Sequence, residues 1–340
     1  ARQYRTAGIL WGYYDDTKVV PYATIVGWSQ NVQPQIRRVV AVDGPGTTKL
    51  ATYIGKPLQE DMKGLGLLVR GMVQEYQGDH EGALESLDQA ERLLTQTGHE
   101  TSLRPVYTLR GRAYFLLGQL PQAKDAYTRA IEAPGEEKDP LLAFAYNGRG
   151  AIRFLQGDAE GALADLNKAL AIMPDHIQAR FNRALVYLST GDAASALPDA
   201  QRTVELAPGF QRAQLLLAAC YIDLDRSDEA ASLLKAYLKR YPDDANAHYL
   251  HGVALTMQGE LTAAMDEITT ALEAAPDYVD ALYQRAAILE KQGNLQEAHE
   301  TYEQVVALCR SDSATVPYLR IQCDRHLAAA EEAIERLRSR

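Results

Sequence analysis

Residues 174–208 read PDHIQARFNRALVYLSTGDAASALPDAQRTVELAP, and the proline that opens this stretch recurs at its end. The same 34-residue step continues to Pro242 and Pro276. Alanine keeps the step at Ala162, Ala196, Ala230, Ala264 and Ala298, and small residues keep it at Gly150, Ala184, Ala218, Gly252 and Ala286. Two earlier copies carry Gly71 with Ala83 and Gly111 with Ala123. The insertions "LTQTGHETS" and "APGEEKDP" lengthen their step. A period of this size marks a supersecondary unit that buries its apolar face only by stacking on its neighbours.

Within each copy the pattern predicts two amphipathic helices. The first ends in a turn such as "LQGD", "STGD" or "MQGE", where glycine can take the left-handed conformation that stops a helix. The second ends near a proline, which blocks continuation. Small residues stand where the two helices must approach closely, and large ones such as Tyr114, Tyr127, Tyr187 and Tyr302 fill the space between. This ordered pattern of large residue, Gly/Ala, Tyr, Gly, Ala, Tyr/Leu, Ala and Pro resembles the tetratricopeptide repeat family. Seven units start near 64, 104, 143, 177, 211, 245 and 279 and fill residues 61–312. The resemblance implies an all-α solenoid, a right-handed superhelix of helical hairpins with a concave inner face. After the last unit, residues 313–340 form one further helix whose stripe Val316, Leu319, Cys323, Leu327, Ala330, Ile334 and Leu337 follows 3- and 4-residue steps. A polar outer face suits it to cap the array, and the stripe makes Cys323 a core residue.

Residues 1–60 do not repeat. "GILWGYYDDTKVVPYATIVG" alternates β-branched and aromatic residues around a polar turn and predicts a β-hairpin, with "IRRVVAVDG" as a third strand. A sheet this small packs on the first repeats or belongs to a larger, truncated domain. "DGPGTTKL" approaches a phosphate loop, but Thr48 precedes Lys49 where that motif needs glycine, so it reads as a plain loop. Hairpin followed by repeats resembles, loosely, the tetratricopeptide sensor region of bacterial STAND-type signalling ATPases.

Composition bounds the function. The 340 residues are 46% hydrophobic and 24% charged with a formal net charge of −10, which disfavours nucleic acid as the main partner. There is no apolar run near the roughly 18 residues a membrane span needs, and no leader pattern follows Ala1. Cys220, Cys309 and Cys323 are odd in number and widely spaced, which argues against a disulfide framework or a zinc knuckle and makes the cytoplasm the expected compartment. Cys220, inside a helix, reads as a packed structural thiol. H-E-x-x-H, G-x-S-x-G and a Gly-rich phosphate loop are all missing, so no catalytic residue, cofactor or metal is expected.

His248 and His251 stand three residues apart and would share a helix face, the spacing of a metal-ligand pair. The register gives another reading. The seventh position of the units holds Arg70, Arg110, Arg149, Arg183, Leu217, His251 and Arg285. Sixteen residues on, Arg149 meets Asp165, Arg183 meets Asp199 and His251 meets Glu267, while Leu217 meets Leu233. Joint loss of base and acid is what an intra-repeat contact predicts, because a buried charge without its partner is costly and an apolar pair is tolerated. The rule is partial, since Arg70, Arg110 and Arg285 are followed at that distance by Ser86, Ala126 and Thr301.

For the concave face, the resemblance implies positions 2, 5, 9, 12 and 13 of each first helix. They give Thr108, Arg112, Phe115 and Leu116, then Phe144, Asn147, Phe154 and Leu155. Next come Gln178, Phe181, Leu185 and Leu188, followed by Arg212, Leu215 and Ile222. Asn246, Tyr249, Val253 and Met257 precede Asp280, Tyr283 and Glu290. Some of these apolar side chains could instead pack between helices. As a set they suggest a groove for an apolar or amphipathic peptide, bound as a helix or extended, and are compatible with self-association. Arg112 and Arg212 are the anion contacts it offers. The expected function is a non-catalytic protein-binding scaffold or sensor. The alternative is the ligand-sensing part of a larger STAND-type ATPase, and an enzyme with its site in residues 1–60 has no supporting motif.

Overall fold

The structure, a computed structural model, describes residues 5–15, 18–29, 32–35, 63–98, 103–311 and 317–338, with side chains from residue 63 onward apart from 317–322. "IRRVVAVDG" and "DGPGTTKL" lie outside the described residues. Strands β1 (Arg5–Asp15) and β2 (Lys18–Ser29) pair antiparallel, with Arg5 opposite Trp28 and Asp15 opposite Lys18. Strand β3 (Val32–Gln35) adds to β2 after a register shift between Gly27 and Ser29.

Helices follow in regular alternation. They are α1 (63–76), α2 (His80–Gln96), α3 (Leu103–Leu116), α4 (Leu120–Glu132), α5 (Pro140–Leu155), α6 (Ala159–Ile172) and α7 (Ile177–Ser189). Then come α8 (Ala193–Leu206), α9 (Gln211–Asp223), α10 (Ser227–Leu238), α11 (Ala245–Gln258), α12 (Leu261–Ala274), α13 (Val279–Lys291), α14 (Leu295–Arg310) and α15 (Pro317–Arg338). The chain divides into two compact units, Ala1–Val186 and Tyr187–Arg340.

Both units use one packing rule. Position 8 of each first helix is glycine or alanine because the second helix crosses there. A Cβ on Gly71 would lie 2.9 Å from Leu87 Cγ, one on Gly111 2.6 Å from Tyr127 Cδ1, and one on Gly252 2.7 Å from Ile268 Cγ1. The facing alanines Ala83, Ala123, Ala162, Ala230, Ala264 and Ala298 are fully buried. Around these contacts Leu87, Leu166, Leu234 and Ile268 are buried side chains, each stabilising its hairpin by about 2–3 kcal/mol through removal from water.

The turns within hairpins are equally regular. Gly78, Gly118, Gly157, Gly191, Gly259 and Gly293 all have φ between 71° and 83°, and Asp225 takes φ 57° at the same position of the fifth copy. An aspartate one residue later then caps the second helix in several copies: Asp79 accepts from Gly82 N at 2.9 Å and Asp158 from Gly161 N at 2.8 Å.

One insertion has its own anchor. Arg104, buried at the start of α3, donates to the carbonyls of Ala130, Ala133 and Glu136 and to Asp139 Oδ2 at 2.8 Å. It thereby satisfies the open carbonyl end of α4 and holds the loop 133–139 against it.

In the second unit α15 packs on both α13 and α14. Its Cys323, Ala330, Ala333 and Ile334 close a core with Val279, Leu282, Ala286, Tyr302 and Val305. Of the stripe expected from the sequence, Cys323, Ala330 and Ile334 lie in this core and Leu337 packs against it, while Val316 and the side chain of Leu319 lie outside the described residues.

Candidate functional site

At roughly 100° per residue, positions 2, 5, 9, 12 and 13 of a first helix fall on one side, and positions 4, 7 and 11 on the other. The two sides do different things. On the first side, the residues expected to line a groove separate into a seam and an exposed row. Position 5 supplies the seam. Asn147 Oδ1 accepts from Asn182 Nδ2 at 2.9 Å, joining α5 to α7. Tyr249 packs on Tyr278 with centroids 5.1 Å apart, and Tyr283 stacks on His326 at 4.4 Å. Phe181 is buried, so its ring is not presented to a ligand. An aromatic at this position sits where successive first helices meet, and its size serves packing.

Position 13 supplies the row in the first unit, and Met257 holds the same position in the second. Tyr76 is 71% exposed, Leu116 50%, Leu155 61% and Met257 40%. In the first unit Phe115 and Phe154 lie half-buried behind the row, each packed on the core of its own hairpin. Arg112 Nε sits 2.8 Å from Glu75 Oε1, so its charge is matched within the protein. Gln178 and Leu185 are half-buried. In the second unit Leu215 is half-buried beside Leu234 and Tyr237, and Arg212 is exposed.

On the opposite side, position 7 makes the ion pairs. Arg149 grips Asp165 with two bonds of 2.8 Å, from Nε and from Nη2, and Arg153 Nη1 joins at 3.0 Å. Arg183 donates to Asn167 Oδ1 at 2.7 Å in the first unit, while Asp199 is buried in the second and its carbonyl accepts from Thr203. His251 Nδ1 lies 3.0 Å from Glu267 Oε1, the pair read from the register.

His248 is where the sequence reading stopped short. Its Nδ1 also meets Glu267, at 2.5 Å from Oε2, and its Nε2 lies 2.7 Å from the carbonyl of Pro242. The latter contact is periodic. Position 4 places Arg180 on the carbonyl of Pro174 and Gln214 on that of Pro208. Three donor types at one register position, each six residues after a proline, were the available signal. Burial alone would raise the Glu267 carboxyl, but hydrogen bonds from His251 and His248, with their charge, bring it below the ordinary carboxylate range. Both ring nitrogens of His248 therefore face oxygen atoms, the Glu267 carboxylate on one side and the Pro242 carbonyl on the other.

Unread in the sequence was a hollow of about 350 Å³ on this same side of α3 and α4, lined by Tyr107, Arg110, Tyr114 and Arg129. Its charges are mutually paired: Glu91 accepts from Tyr107 Oη at 2.8 Å and from Arg110, and Arg129 lies 3.0 Å from Asp125.

The cysteine reading needs correction. Cys309 and Cys323 form a disulfide, with Cα atoms 5.2 Å apart and a sequence separation of 14. The packing of α15 on α14 brings together two positions that looked unrelated in the chain. The expectation of a reducing compartment, which rested on the cysteine count, loses that support. Cys220 is buried, and burial pushes its thiol up to about 12, which leaves it unreactive.

Among the described residues no cluster of His, Cys, Asp or Glu could hold a metal ion, and no helix is long and apolar enough to cross a membrane. No curated protein matches the sequence. Among solved structures, a tetratricopeptide repeat protein from Parabacteroides merdae ATCC 43184 is similar at 20% identity and a TM-score of 0.54, covering 77% of this chain and 98% of its own. The APC/C hetero-tetramer Cut9-Hcn1 matches at 16% identity and a TM-score of 0.54, over 71% of this chain and 45% of that one. Both likenesses are of fold. Tetratricopeptide repeat models match residues 105–136, 141–208, 187–253 and 279–312, together just over half of the sequence. With helices, turns and close contacts all following the 34-residue register, the chain belongs to the tetratricopeptide repeat family.

Proposed function

We propose that the protein is a non-catalytic binding module that takes an apolar or amphipathic protein segment along the exposed row of its first unit. Repeats of this family commonly act as protein–protein interaction scaffolds, which supports this reading. The observation that carries the finer reading is the repetition of a large exposed apolar residue at position 13 of three consecutive first helices: Tyr76, Leu116 and Leu155. A lone exposed leucine means little, but a row of them beside half-buried phenylalanines is a patch that water disfavours. The one basic group among them, Arg112, is already matched by Glu75, so the row offers apolar contact without net charge. An amphipathic helix, with apolar residues three and four apart, suits such a row.

The test is selection of displayed amphipathic peptides on the intact chain, followed by Leu116→Asp with Leu155→Asp. Both side chains are exposed, so the helices should persist by circular dichroism. Binding should fall at least ten-fold. Binding that survives the double change with the fold intact would remove this face as the site.

A further inference from the structure

Of the four positions that the register assigns to the groove face of the last hairpin and that carry charge or an aromatic ring, three (Asp280, Tyr283 and Glu290) meet the chain's own C-terminal helix, and the fourth, Lys291, is exposed. Asp280 Oδ1 meets His326 Nε2 at 2.7 Å and Arg325 Nη1 at 3.2 Å. Tyr283 lies beneath the His326 ring at 4.4 Å. Glu290 Oε2 accepts from Arg336 Nη2 at 2.7 Å. The helix α15 therefore presents a basic edge to an acidic face, with Ala330, Ala333 and Ile334 filling the apolar strip beside it. Asp223, on α9, belongs to the same acidic set: burial raises its carboxyl, and Arg325 pulls it the other way.

We propose that the Cys309–Cys323 disulfide is a reducible clasp that holds α15 over this acidic face, and that opening it frees the face for a basic amphipathic helix of a partner protein. The partner's chemistry follows from the occupant it must displace: arginine or histidine opposite Asp280 and Glu290, and small or branched apolar residues opposite Val279 and Leu282. Apart from the disulfide, the apolar strip and the largely buried contact of His326 with Asp280, α15 is held by more exposed ion pairs such as Arg310 with Glu331 and Arg338 with Glu303. Such pairs are weak individually. A cross-link closing a loop of this length shifts an opening equilibrium by roughly a hundred-fold, and a terminal element is where local opening is easiest.

Opening is thiol–disulfide exchange. The thiolate of a dithiol reductant attacks the Cys309 sulfur, the half-buried member of the pair, and Cys323 leaves as a thiolate that takes up a proton. The second thiol of the reductant then displaces Cys309. The protein gains two electrons and two protons as two thiols, and the reductant becomes a disulfide.

Hydrogen exchange of the full chain with and without dithiothreitol tests the clasp, with thiol titration to verify reduction. Exchange of residues 323–338 should accelerate roughly a hundred-fold, while α11 and α12 keep their protection. Cys309→Ser should reproduce this without reductant. A labelled peptide of residues 317–340 carrying Cys323→Ser serves as the basic helix. It should bind the reduced chain, fail on the oxidised chain, and lose at least ten-fold in affinity on Glu290→Lys. Unchanged exchange of α15 after reduction would overturn the proposal. So would loss of α11 protection together with α15, which would make the disulfide a brace for the whole unit. Equal binding of the peptide to both redox forms would overturn the partner half.

Discussion

The third and sixth hairpins place different chemistry in one backbone slot. In α5 and α6 the slot holds Arg149 and Asp165, joined by two parallel bonds and reinforced by Arg153. In α11 and α12 it holds one carboxylate, Glu267, between two imidazoles. The fifth hairpin has Leu217 and Leu233 there, buried or nearly so. The three fillings share a requirement: each group entering the slot brings its own partner. A guanidinium pair is permanent across the physiological range, an imidazole pair depends on protons, and an apolar pair depends on neither.

The comparison breaks most severely at Asp165→Ala. That change leaves Arg149 and Arg153 facing a buried site without a counter-charge, and it should cost about 3–5 kcal/mol in urea unfolding. The sixth hairpin should prove less demanding. Glu267→Gln keeps the shape and removes the charge, with an expected loss of about 1–2 kcal/mol near pH 7. Because folding lowers the Glu267 pKa, its contribution is present above the unfolded carboxylate value and fades as pH falls through the folded one. Wild type and Glu267→Gln should therefore converge in stability as pH falls through that lowered folded value. A constant gap at every pH would show that the imidazoles do not stabilise the ionised carboxyl.

Smaller effects sharpen the fifth hairpin's place in the series. Asp225 holds a left-handed turn that six sister positions give to glycine, so Asp225→Gly should raise stability by about 0.5–1 kcal/mol. Least of all should change when the fifth hairpin's solution is moved to the third. Arg149→Met and Arg153→Met with Asp165→Leu should stay within about 1 kcal/mol of wild type, although Asp165→Ala alone does not. Equilibrium unfolding of the single and triple variants measures that difference directly.

The fold was legible because its constraints are local and periodic. Glycine at positions 8 and 15, alanine at position 20 and proline between copies each answer to one backbone contact or one dihedral angle, and repetition makes them visible. The candidate site was legible only as a set of register positions. Phe181 and Leu116 look alike in that register, yet one is buried in a seam and the other exposed. The distinction depends on how successive first helices lean together, which no spacing encodes. His248 was readable in principle from Arg180 and Gln214. The disulfide was not, since Cys309 and Cys323 meet only through the packing of α15 on α14.

Arg104 gives the array a tolerance that its strict period would otherwise deny. Its guanidinium ties down both ends of the stretch from Ala130 to Asp139, while Glu137 and Lys138 between them remain exposed. Residues gained or lost at that exposed crest would not change the phase at which α5 starts its next turn. The loop works as an expansion joint: sequence length can vary there while the spacing of the helices on either side stays fixed by a single side chain.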